Sequence, residues 1–131
     1  MRVLVVEPDG LTGLMVTALF NRVPGYQAAW AKEENEAMAL VDRQTFDVAI
    51  CETRLRHGDG LVVGERLASR GLAVILVTTH DSAQLPPCRW AVGVLEKPFN
   101  EMSLRQAVNL ITLSKQNKPL GDLPPHFRRF S

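Results

Sequence analysis

What this chain has little of removes several classes of protein. Only two of its 131 residues are cysteine. Cys51 lies in an apolar run and Cys88 beside Pro86-Pro87, so no disulfide framework or metal cluster is expected and a reducing compartment fits. No apolar stretch approaches the ~20 residues a membrane helix needs. One arginine and four apolar residues before Glu7 are too short for a signal peptide, so the expected home is the cytoplasm. Neither charge sign is in excess: 15 basic against 14 acidic residues leave a formal net charge of +1, which by itself argues neither for nor against nucleic acid, and nucleic acid is not an expected partner. A glycine-rich phosphate loop is also missing, since only Gly10 and Gly13 follow the first apolar run.

What is present is an ordinary globular composition, 46% hydrophobic and 22% charged, and a regular alternation of elements. Val3 to Val6 reads as a strand buried on both faces, closed by the turn Glu7-Pro8-Asp9-Gly10. Leu11, Leu14, Met15, Ala18 and Leu19 then repeat at helical spacing up to Pro24-Gly25. Tyr26 to Trp30 is a short strand. Glu33 to Arg43 is a helix with Ala37, Leu40 and Val41 as its apolar stripe. Asp47 to Cys51 is a third strand ending at Glu52, Leu61 to Ser69 a short helix, and Leu72 to Val77 a fourth strand ending at Thr78 and Thr79. Asp81-Ser82 can cap a helix, but Pro86-Pro87 cannot lie inside one, so a short or frayed turn is expected there. Ala91 to Leu95 is a fifth strand followed by Glu96-Lys97-Pro98-Phe99. Asn100 caps a last helix carrying Leu104, Ala107, Val108 and Ile111.

This order predicts an α/β fold: a doubly wound, five-stranded parallel sheet with helices on both faces. In such sheets the site forms at the carboxyl ends of the strands. There the sequence places Glu7, Pro8 and Asp9, then Glu52, then Thr78 and Thr79, then Lys97. Carboxylates, hydroxyls and an ammonium suit a phosphoryl group with a divalent cation.

These segments resemble the receiver domain of bacterial response regulators. The likeness is carried by Val3-Leu4-Val5-Val6-Glu7, Phe46 to Glu52, Gly58-Asp59-Gly60-Leu61, Val74 to Thr79 and Leu95-Glu96-Lys97-Pro98-Phe99, and it spans roughly Arg2 to Ser114. It implies a flavodoxin-like receiver fold with strand order 2-1-3-4-5, residues 1–114 as the domain and 115–131 as a tail or linker stub. It implies an acidic Mg2+ pocket at Glu7 and Asp9, a phosphoacceptor position at Glu52, and phosphoryl-contact and switch positions at Thr78, Thr79 and Lys97. Lys97-Pro98 matches the family's lysine-proline pair and is a candidate for a cis peptide bond.

Several positions depart from the family pattern. Pro8 stands where a second acid is expected. Glu52 stands where the family carries the reactive aspartate. Arg56 replaces a loop proline, Val94 an aromatic, and the stretch from Thr78 to Lys97 is shortened. Glutamate carries its carboxylate roughly 1.5 Å further out than aspartate. Mg2+ wants near-octahedral distances of about 2.0–2.1 Å, and in-line attack loses on the order of a hundredfold for a ~1 Å displacement. The expectation is a weakened Mg2+ site and no ordinary aspartyl phosphorylation. Glu52 then either mimics a phosphoryl group in part, reaching Lys97 and Thr78, or forms a structural ion pair with Lys97.

Taken singly, each of these residues has a plainer reading as a turn, strand-end or surface residue, and only their joint placement argues for a site. His57 and His80 lack the spacing of a zinc site. Cys51 is expected to be an inert core residue, and Trp30 and Trp90 packing residues near the sheet edges. The tail, with Lys115, Lys118, His126, Arg128 and Arg129 against Asp122, reads as a linker stub rather than a basic anchor. The leading reading is a non-enzymatic interaction module that binds a histidine kinase, another regulator or an output protein, with homodimerisation as a further option. The alternatives are a working Mg2+-dependent phosphoacceptor in which Asp9 rebuilds the metal site, and a flavodoxin-like cofactor binder.

Overall fold

A computed structural model describes residues 1–79, 82–115, 123–124 and 127–130. The elements are β1 (Arg2–Val6), α1 (Gly10–Asn21), β2 (Gln27–Ala31), α2 (Glu34–Arg43), β3 (Val48–Glu52), α3 (Gly60–Ser69), β4 (Ala73–Thr78), a 3-10 turn (Ser82–Gln84), β5 (Ala91–Glu96), α4 (Glu101–Lys115) and β6 (Phe127–Arg129). The sheet order is β2-β1-β3-β4-β5-β6. The first five strands are parallel, in the expected 2-1-3-4-5 order. β6 is a correction to the five-stranded expectation: it pairs antiparallel with β5.

The central strands are apolar on both faces because helices cover both. Val3, Val5, Val48, Ile50, Ile75, Val77 and Leu95 point to one side, where α1 and α4 supply Val16, Leu19, Phe20, Leu104, Ala107, Val108 and Ile111. Leu4, Val6, Ala49, Cys51, Val74, Leu76 and Val94 point to the other, where α2 and α3 supply Ala37, Val63 and Leu67. This alternation follows from the two-residue period of a strand.

Polar side chains close the helix starts. The Asp9 carboxylate accepts from Thr12 N at 2.8 Å and begins α1, and Asp59 accepts from Leu61 N at 2.8 Å and begins α3. Asn100 Oδ1 accepts from Ser103 N at 2.8 Å, as its capping role requires.

Two expectations need correction. The apolar stripe of α1 is not Leu11, Leu14 and Met15. These are 72%, 60% and 60% exposed, while Gly13, Val16, Leu19 and Phe20 face inward. The helix is apolar nearly all round, so periodicity does not single out its inner face. The tail is not merely a stub: Phe127–Arg129 forms β6, and Phe127 is buried. His80, Asp81, Lys118, Asp122 and His126 lie outside the described residues. In the stretch before β5 the described residues form a 3-10 turn over Ser82–Gln84, in line with the proline pair.

Gly60 joins the fold to the site. A Cβ at this position would collide with the carbonyl oxygen of Glu52 and lie 2.7 Å from the carbonyl carbon of Thr53, both backbone atoms. Gly60 N also donates to Thr53 O at 3.0 Å. Backbone cannot swing away as a side-chain tip does, so Gly60→Ala must push α3 off the end of β3. It is expected to cost about 2–3 kcal/mol in urea unfolding. A loss below about 0.5 kcal/mol would show that the approach is not tight.

Candidate functional site

The sheet registers assemble the site before any side chain is considered. Val6 pairs with Cys51, so Glu7 and Glu52 leave neighbouring strands side by side. Glu52 pairs with Val77 and Thr78 with Glu96, and Lys97 N donates to Thr78 O at 2.7 Å. β1 and β3 are adjacent at the point where the strand order reverses, the usual crevice of an open α/β sheet. The Lys97-Pro98 peptide bond is cis, as expected.

Lys97 lies between the two glutamates. Its Nζ is 2.6 Å from Glu7 Oε1 and 2.8 Å from Glu52 Oε1. The side chains are 18% exposed for Lys97, 6% for Glu7 and 7% for Glu52, so the pairs are largely screened from water. Burial alone would lower the ammonium pKa. The hydrogen bonds and charges of Glu52 and Glu7 outweigh that and hold it above its ordinary value.

The remaining carboxylate oxygens are occupied as well. Glu7 Oε2 accepts from Asp9 N at 3.1 Å. Glu52 Oε2 accepts from Thr53 N at 2.7 Å and from Arg54 N at 3.4 Å. The Thr53 hydroxyl is 3.2 Å from Glu52 Oε2 and 3.2 Å from the Thr78 hydroxyl. Its single proton can go to either one.

Thr53 and Trp30 are the residues sequence reasoning missed. Thr53 is buried and joins Glu52 to Thr78. Trp30 is more than a packing residue: its indole Nε1 donates to Glu7 O at 2.9 Å and fixes the turn that presents Glu7. A hydroxyl directly after the acceptor position was a readable signal for Thr53. Nothing local to Trp30 announces a bond to a residue 23 positions away.

Glu7, Glu52, Thr78 and Lys97 are thus brought together, whereas Thr79 is exposed at the rim. The carboxylate of Asp9 is turned to its cap and accepts from both the N and the hydroxyl of Thr12, at 2.8 and 2.6 Å. These bonds hold its pKa below the ordinary carboxylate value. Cys51 is wholly buried, and burial raises its thiol pKa, as an inert core residue requires. His57 lies 3.8 Å from Glu33 and far out in solvent.

A divalent cation would need several free oxygen ligands at about 2.0–2.1 Å for Mg2+. The two carboxylates that face each other are both spanned by an ammonium, Pro8 offers no side-chain oxygen, and Asp9 is engaged elsewhere. Among the described residues no group of three or more acidic, His or Cys side chains is placed to hold a metal. The residues present do not fit the ion in this arrangement.

Lys97→Met leaves two buried like charges facing each other. It is expected to lower stability at pH 7 by about 2–4 kcal/mol, a figure reduced for the partial exposure of the lysine. The folded state holds the Lys97 proton more tightly than the unfolded chain does. The contribution is therefore complete below the ordinary value of 10.5 and is lost as pH climbs through the higher folded value. Denaturant titrations of both proteins across pH should give a difference that is flat from about pH 7 to 10 and shrinks above. A difference that already collapses below pH 9 would contradict the double ion pair.

Comparison with known proteins places this geometry. Residues 3–109 match the family model described as the response regulator receiver domain. The positive alginate biosynthesis regulatory protein of Pseudomonas aeruginosa is 32% identical over 130 residues, covering 91% of this chain and 52% of that protein. The alginate biosynthesis transcriptional regulatory protein AlgB of the same organism is 35% identical over 88 residues, covering 63% of this chain and 20% of that one. The chain therefore spans about half the length of the first relative and a fifth of the second. Among solved structures, the chemotaxis response regulator CheY4 of Vibrio cholerae superposes with a TM-score of 0.75 at 23% identity, over 84% of this chain and 97% of that one. The receiver domain of a Luxo repressor protein from Vibrio parahaemolyticus gives 0.76 at 24% identity, over 88% and 93%. With the family model matched over most of its length and the strand-end residues in that family's order, the chain belongs to the response regulator receiver domains of two-component signalling.

Proposed function

We propose that this receiver is an atypical one, with residues 1–114 as its main body and 127–129 as an added edge strand, whose phosphate-accepting site has been replaced by an internal ion pair and which signals by protein contact rather than by ordinary phosphoryl transfer. One observation carries the reading: Lys97 Nζ lies 2.6 and 2.8 Å from Glu7 and Glu52. An incoming phosphoryl group needs that ammonium, and Mg2+ needs those carboxylates. Here each already satisfies the other. Glu52 Oε2, the remaining oxygen for attack, accepts from the Thr53 backbone. Glu52 takes the ion-pair role toward Lys97 rather than that of a nucleophile, with its link to Thr78 passing through Thr53. Mg2+ binding is weakened, and catalysis is not part of the role.

The partner is a histidine kinase, another regulator or an output protein. The curated relatives are regulators of alginate biosynthesis by name, which supports an input role in a regulatory protein. Among the described residues no helix is long and apolar enough to cross a membrane.

The test is phosphorylation by a small donor. Wild-type protein incubated with radiolabelled acetyl phosphate and Mg2+ should take up no acid-stable label, and calorimetry with Mg2+ should show no saturable heat. The double variant Pro8→Asp/Glu52→Asp restores the carboxylate and the shorter acceptor, and it should gain both. Mg2+-dependent label on Glu52 or Asp59 of the wild type would overturn the proposal in favour of a working phosphoacceptor.

A further inference from the structure

The β5 edge is covered in a way the receiver function does not require. β5 would end the parallel sheet, yet Phe127–Arg129 pairs with it antiparallel, Leu95 opposite Phe127, Val94 opposite Arg128 and Gly93 opposite Arg129. Phe130 N extends the ladder by donating to Val92 O at 3.0 Å. An open strand edge is a row of unused donors and acceptors that invites another strand.

The fit is specific on both faces of the sheet. Phe127 is buried in the cluster shared by α1, α4 and Leu95. Phe130 packs against the opposite cluster, which contains Ala91 and Val94. Residues three apart in a strand point to opposite faces, so the two rings grip the edge from both sides. The Arg128 guanidinium lies 5.0 Å over the Phe130 ring.

Gly93 forms the socket. A Cβ there would stand 2.5 Å from Phe127 Cζ and 2.6 Å from Arg128 O. Glycine weakens a strand interior and often marks close approach of another backbone. Here the approaching backbone is this chain's own tail.

We propose that the β5 edge is a strand-docking site and that residues 127–130 occupy it in cis as a clip, shielding it from an extended strand of another molecule. The partner such an edge takes runs antiparallel to β5 and carries aromatic side chains three residues apart. A tethered segment competes at an effective concentration on the order of millimolar, so the clip masks the edge against any weaker strand.

Two variants in the full chain separate socket from plug, with a fluorescently labelled peptide of residues 123–131 as the probe. Phe127→Ala removes the plug and should bind the peptide on the order of tenfold or more tighter than wild type. Gly93→Ala fills the socket and should bind it no better than wild type, although its own tail is released. Hydrogen exchange should report that release in both variants: amides of 92–96 and 127–130 exchange on the order of tenfold faster, while β1 and β3 stay protected. The proposal is overturned if the wild type binds the peptide as tightly as Phe127→Ala, or if Gly93→Ala does. It is equally overturned if Phe127→Ala binds no peptide or keeps wild-type protection at 127–130.

Discussion

An ammonium held between two buried carboxylates ties together three strands that are far apart in sequence. Glu7 follows β1, Glu52 ends β3, and Lys97 follows β5. Each side chain is costly to bury alone, because an unpaired charge away from water is penalised by several kcal/mol. The three are tolerable only in each other's company, and only if the registers of the sheet deliver them within hydrogen-bond reach. That condition constrains much else around the site: the Trp30 bond to the Glu7 carbonyl, the bare Gly60 beside the end of β3, and the Lys97 amide bond to Thr78.

On the proposed reading, the charge of this pocket sets it apart from a metal-dependent one. In a receiver pocket that binds Mg2+, a divalent cation offsets clustered carboxylates and the lysine remains available for phosphate. Here Pro8 removes one carboxylate, and the remaining pair with one lysine leaves a formal charge of −1. The backbone amides of Asp9 and Thr53 take up part of that excess by donating to the free oxygens. The longer glutamate at position 52 is compatible with reaching the lysine directly, where a shorter side chain would leave about one C–C bond of gap. On this reading the substitutions at positions 8 and 52 are one change in electrostatics.

Much of this was legible in the sequence. The buried strands are continuous β-branched and leucine runs, and their terminal residues were readable as a set because topology sends parallel strand ends to one edge. The strand order and the cis Lys97-Pro98 bond were legible through the family resemblance, the Asn100 cap through local helix chemistry, and the contact of Glu52 with Lys97 as one of two readings of the converging strand ends. What escaped depends on non-local packing. α1 has apolar residues on every side, so only the docked helix decides that Phe20 is buried and Leu14 is not. The tail offers Pro, Gly and Arg, a linker composition, and its two phenylalanines gain meaning only once they pack on either face of the β5 edge. Thr78 and Thr79 are adjacent hydroxyls, and only the point where β4 ends separates them: Thr78 is its last, buried residue and Thr79 lies past it at the rim.

The hydrogen bonding around Glu52 bears on whether the site can switch. A receiver that responds to a signal must have two arrangements within a few kcal/mol of each other. Vacating the site here means breaking the Lys97 contacts and the bond from Thr53 N, each a hydrogen bond to a charged group worth roughly 1.5–3 kcal/mol. Even if water recovers half of that total, an alternative state with Lys97 free lies about 2–4 kcal/mol above the ground state, and its population is about three per cent or less. On the proposed reading, a partner at this surface meets one arrangement nearly all the time. On that reading regulation acts away from the strand ends that hold Lys97, and β6, three residues long with Arg128 and Arg129 exposed, is one such place.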